Sequence, residues 1–119
     1  MSDRQIDRQI AELMGEDLTG FEWPKSGPGK SMVNVKRSGF VEWKDIPYYS
    51  SDWNAMRLLV EWLQGKGFKL TLKFNEYNDN DWSADLWNEN EDVESYEQDR
   101  TAPLALCNAV LSLPPEVLK

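Results

Sequence analysis

The sequence predicts an α+β fold: amphipathic helices packed on a mainly antiparallel sheet of three to four strands, a helix/sheet/helix sandwich in the order α-β-β-α-β-β-α. Three observations carry that expectation. Trp53, Met56, Leu59, Val60 and Leu63 recur at helical spacing behind a hydroxyl and a carboxylate residue. Phe68, Leu70, Leu72 and Phe74 alternate with Lys69, Thr71 and Lys73, the period-two signature of a half-buried strand. Thr101 precedes a further apolar stretch with Pro103 in its first turn, where no intrahelical donor is needed. Amphipathic helices require an apolar surface to cover, and a sheet with one apolar side supplies it.

Each element follows in turn. Ser2 and Gln5 form a capping box for a first helix from about Asp3 to Met14. Ile6, Ile10, Leu13 and Met14 make its inner face, Arg4, Asp7, Arg8 and Glu12 are expected in water, and Gly15 ends it. Residues 15–31 read as loop, broken by Gly15, Gly20, Pro24, Gly27, Pro28 and Gly29, with Phe21 and Trp23 expected to tuck it onto the core. Met32–Val35 and Phe40–Trp43 suggest two short strands turning at Ser38 and Gly39. The second helix is capped by Ser51, carries Asp52 in its first turn and ends at Gly65 and Gly67. After strand 68–74, a polar turn over 75–80 leads to a return strand. There Trp82, Ala84 and Leu86 alternate with Ser83, Asp85 and Trp87. Residues 88–99 read as acidic loop anchored by Val93 and Tyr96. The last helix turns Leu104, Cys107, Val110 and Leu111 inward before Pro114 and Pro115 end it. With no internal repeat and no composition break, residues 1–119 form a single domain.

Composition narrows the function classes. A chain of 119 residues buries roughly two thirds of its extended surface, enough to fold without a staple. Cys107 is the single cysteine, so no disulfide forms within the chain. Histidine is absent, which removes the commonest general base, the Ser–His and Cys–His nucleophile pairs and the commonest zinc ligand. The net charge of −8, from 13 basic and 21 acidic side chains, opposes direct nucleic-acid binding. No apolar run has membrane-spanning length, and the N-terminal residues lack the plan of a signal peptide, so a cytoplasmic protein is expected.

Three constellations mimic sites. Gly27-Pro28-Gly29-Lys30-Ser31 resembles the end of a phosphate-binding loop, but Pro24 stands where that motif needs glycine and a strand follows in place of a helix. Asp79, Asp81 and Asp85, interleaved with asparagines, lack the glycine and terminal glutamate of a calcium loop. Tyr48, Tyr49, Ser50, Asp52, Trp53 and Arg57 gather rings, hydroxyls and charge at a helix start, where capping alone explains most of the polar groups. Six tryptophans exceed what one helix–sheet core absorbs; with Trp62 on a helix flank and Trp87 opposite Trp82, they either cover a second layer or form an exposed patch suited to a partner or a dimer interface.

Two segments also carry a resemblance. Tyr49-Ser50-Ser51-Asp52-Trp53-Asn54-Ala55, Trp82-Ser83-Ala84 and Thr101-Ala102-Pro103-Leu104-Ala105-Leu106-Cys107 stand in an order and spacing similar to the phage ABA-sandwich domain family, with NinX-type small phage proteins as more distant look-alikes. The likeness spans about residues 46–112. It implies a bacteriophage or prophage gene and a helix–sheet–helix sandwich, and it implies no catalytic residues.

The expectation is therefore a non-enzymatic binding module acting in the host cytoplasm on a host protein or a small-molecule ligand, with a homodimer as a further possibility. No catalytic residue, metal ligand or cofactor is expected, and neither a membrane nor nucleic acid as direct partner. The contact residues are Tyr48, Tyr49, Trp53, Arg57, Trp62 and Trp87. Two alternatives remain open: an acidic DNA-mimic inhibitor of a host nucleic-acid enzyme, using residues 88–99, and a small metal-dependent hydrolase built on paired carboxylates such as Asp81 and Asp85.

Overall fold

The computed structural model describes residues 3–16, 32–37, 40–76 and 81–118. Phe21 and Trp23, the Gly27–Ser31 sequence, the Ser38-Gly39 turn, Ser2 and Asp79 lie outside them. The chain is α+β, with helices α1 (Asp3–Leu13), α2 (Trp53–Gly65) and α3 (Ala102–Leu111). Strands β1 (Met32–Arg37) and β2 (Phe40–Asp45) pair antiparallel as a separate two-stranded ribbon. Strands β3 (Lys69–Asn75), β4 (Asp81–Asn88) and β5 (Val93–Asp99) form an antiparallel sheet in that spatial order. A short 3₁₀ turn, Pro115–Leu118, follows α3.

The two leading helices stop in the same way. Gly15 takes φ +103 and Gly67 takes φ +89, the left-handed geometry a glycine adopts without steric cost. Glu16 N–H then donates to Ala11 O, and Phe68 N–H to Leu63 O, both at 3.0 Å, which returns carbonyls left over at each helix end. Leu63 and Phe68 are both buried at the second of these stops, locking the step from α2 into β3. The buried Asn88 side chain donates to Lys66 O and accepts from Asn90 N–H, tying that step to the β4–β5 turn.

The start of α2 differs by one residue from the sequence expectation. Asp52 is the cap, accepting from Asn54 N–H at 2.9 Å. Ser51 instead sits in a turn, its N–H donating to Tyr48 O. With a hydroxyl and a carboxylate side by side, both suit the role, and the turn before them decides. Thr101 caps α3 as expected, accepting from Leu104 N–H at 3.3 Å.

The largest departure is β5. The acidic stretch expected as loop contains a full strand, so the order is α-β-β-α-β-β-β-α. Its covered side is polar: Ser95 Oγ donates to Ala109 O, Asn108 Nδ2 to Asp99 Oδ2 and Ser112 Oγ to Glu97 Oε1. Val93 is the one apolar residue on that side, so the strand is held mainly by hydrogen bonds and shows no hydrophobic alternation. Only Glu89–Asp92 make the turn, where Asp92 adopts φ 51.

Helix α3 is the centre of the core. Ala102 through Cys107, Ala109 and Val110 are all buried, a helix apolar all round rather than along one stripe. It lies on β4 and β5, and α1 and α2 both reach it. Leu111, expected inward, is half-buried. On the opposite side of the sheet the outer strands are exposed, at Lys69, Thr71, Lys73, Glu94, Tyr96 and Gln98, while Ser83 of the central strand is buried. The second helical layer expected on that side is not met among the described residues.

Asp7 also departs from expectation. Placed by the sequence in water, it is fully buried, its carboxylate accepting from Ser50 N–H at 2.8 Å and from Arg4 Nη1 at 2.6 Å. Arg4 donates on to Ile46 O. This network joins α1 to the segment that enters α2.

Candidate functional site

The residues gathered at the start of α2 separate into two sets. Tyr49 is buried, and Tyr48 is half-buried with the Arg4 guanidinium 3.9 Å from its ring centroid. Both therefore serve the α1–α2 joint. Trp53 and Arg57, one helical turn apart, face outward; Trp53 is 52% exposed, and among the described residues Arg57 makes a long 3.9 Å exposed pair with Glu61.

Trp53 is not alone. Its ring meets Trp82 of β4 edge-on, with centroids 5.4 Å apart at 75°. Trp82 in turn packs against Phe74, its cross-strand neighbour on β3, at 5.3 Å. Phe74 is 45% exposed. Three rings from one helix and two strands thus form a continuous ledge, open to solvent at both ends. Sequence reasoning assigned Phe74 and Trp82 to the core. The signal that brings them into the site is strand register, which sets them opposite each other at the turn end of the β3–β4 pair.

Trp62 and Trp87 do not join the ledge. Trp62 is half-buried on α2, with Lys66 Nζ 5.1 Å from its ring centroid. Trp87 alternates with Trp82 along β4 and so belongs to the other side of the sheet. There it lines a shallow cavity of about 220 Å³ with Asn88, Glu89, Asp92, Val93 and Glu94. A mostly apolar groove of about 380 Å³ lies between α1 and the end of α3, lined by Leu13, Val110, Leu111 and Leu113 with Gln9 and Glu12.

The chemistry these groups offer is stacking and apolar burial. Among the described residues no three carboxylate or thiol groups gather closely enough to hold a metal ion. Asp81 accepts from Gln98 Nε2 at 2.8 Å, a bond between neighbouring strands. Cys107 is buried in α3; burial pushes its thiol well above the usual range, and the Asp7 and Asp3 carboxylates add to the shift. Since the thiolate is the reactive form, the folded protein should resist a thiol-specific disulfide reagent and react fully only in denaturant. Rapid stoichiometric labelling of the folded chain would show the helix to be open.

Comparison with models of known families, with curated proteins and with solved structures finds no match in any of the three.

Proposed function

We propose that this chain is a bacteriophage or prophage accessory protein that works by binding, without chemistry of its own, to a host protein or a small ligand in the host cytoplasm. The observation that carries the binding role is the exposed Trp53–Trp82–Phe74 ledge. Large rings held at fixed angles offer much contact area with little side-chain freedom to lose on binding, the character of an interface anchor. The phage kinship rests on the motif order already described, whose pieces open α2, occupy β4 and open α3.

Capture from bacterial lysate, compared between the parent chain and Trp53→Ala, tests this reading. The variant should keep a closely similar melting temperature, because half of the ring already lies in water, and should lose most of the captured partner. A hot-spot aromatic of this kind contributes about 2 kcal/mol or more, some thirtyfold in affinity. Equal recovery by both proteins, or native mass spectra and capture that are both blank, would falsify the binding role of the ledge.

One observation favours the DNA-mimic reading as second choice. Glu94, Glu97 and Asp99 lie on an ordered strand, so the acids of this hairpin hold fixed spacing. Reversing Glu91, Asp92 and Glu94 to lysine separates the two readings: it abolishes capture by the mimic and leaves a ledge-bound partner in place.

A further inference from the structure

Strand β5 is the outer strand of its sheet, and no strand lies beyond it among the described residues. One row of its backbone N–H and C=O groups therefore points away from β4, a template for an added extended chain. The charge along this edge is of one sign. Residues 89–99 carry Glu89, Glu91, Asp92, Glu94, Glu97 and Asp99 with no lysine or arginine. Glu89 has Lys69 at 3.5 Å, and Glu97 and Asp99 are bonded to α3 and its cap, whereas Glu91, Asp92 and Glu94 have no cation within ion-pair distance among the described residues. Two such edges brought together repel, since like charges would stand opposite each other. A basic chain is attracted.

The cavity beside the strand sharpens the requirement. Its lining is mainly polar and includes Trp87 beside Glu89, Asp92 and Glu94, one aromatic residue among carboxylates, which suits an organic cation. Glu94 stands opposite Trp87 across β4–β5. From a strand added outside β5, Trp87 lies two strand spacings away, about 9–10 Å. Arginine and lysine are the side chains long enough to lean across Glu94 and reach that ring. Further along the same side, exposed Tyr96 offers a second ring to a cation two residues on.

We infer that the outer edge of β5 docks an extended, basic segment of a partner protein by strand addition, with one arginine or lysine laid across Glu94 onto Trp87. This surface lies on the side of the sheet away from the aromatic ledge and does not depend on the function proposed for it.

The probe is a capped nonapeptide alternating arginine and threonine, titrated into the full chain at low ionic strength by calorimetry. Two comparisons decide: the same peptide N-methylated at every residue, which keeps its charge and loses its N–H donors, and the chain variants Glu94→Lys and Trp87→Ala. The unmodified peptide should bind, more weakly as salt is added, and the N-methylated peptide should bind at least about tenfold more weakly. Glu94→Lys should also weaken binding by about tenfold or more, and Trp87→Ala severalfold, with the melting temperature of Glu94→Lys unchanged because its side chain is exposed. No binding of the unmodified peptide overturns the inference. So does equal binding of the N-methylated peptide, which would mean adsorption of charge and would favour the DNA-mimic reading. Sedimentation showing a dimer of the chain alone, dissolved by Glu94→Lys, would place the basic Lys69–Lys73 strand of a second copy on the edge and overturn the assignment to a partner protein.

Discussion

Asp7→Ala lowers the stability of the fold by about 3 kcal/mol, the lower end of what breaking a buried ion pair costs. The carboxylate is fully buried and holds two donors, Ser50 N–H at 2.8 Å and Arg4 Nη1 at 2.6 Å. Its removal leaves a buried amide without an acceptor and takes a buried carboxylate from the Arg4 guanidinium. Arg4 retains its bond to Ile46 O and its place over Tyr48, and it is 22% exposed, so water moderates the loss. Asp7→Asn keeps an acceptor for Ser50 and loses the charge, so a smaller drop is expected. Thermal melting reads the difference: about 10–15 °C for alanine in a domain of this size. An unchanged melting temperature for Asp7→Ala would mean that the α1–α2 joint contributes nothing to the native state.

Leu106→Ala has a comparable effect by another route. Leu106 is wholly inaccessible on α3, the helix surrounded by the rest of the core. Truncation removes buried methyl groups and leaves a cavity that neighbouring elements only partly close, a cost of about 3 kcal/mol. Leu111→Ala on the same helix, at a half-buried site, should cost about 1 kcal/mol or less by the area it covers. Urea denaturation of the two variants tests the contrast. Equal midpoints would contradict the central position of α3.

What could be read from the sequence follows from where apolar side chains carry the packing. The stripe from Met56 to Leu63, the alternation of Leu70 and Leu72, and the Thr101 cap all sit where expected, because each marks a surface with one wet and one dry side. Strand β5 escaped because, beyond Val93, hydrogen bonds through Ser95, Glu97 and Asp99 stand in for apolar contacts on its covered side. Asp7 escaped because its burial depends on Ser50 and Arg4 arriving together, and Ser50 stands 43 residues away. At the candidate site, the sequence picked out Trp53 and Arg57 but also Tyr48 and Tyr49, whose polar neighbours belong to a structural joint. The other two rings of the ledge become neighbours of Trp53 only when β3 and β4 pair in register.

The central position of α3 has a consequence for biosynthesis. Every element it packs against precedes it in the chain, so while the ribosome is still translating, Leu59, Ala84 and Leu86 have been made and their covering helix has not. The inner side of the sheet stays bare until Leu111 leaves the exit tunnel. Nascent chains halted before Ala102 should bind chaperones and be cut readily by protease, and chains extended through Leu111 and freed from the ribosome should do neither.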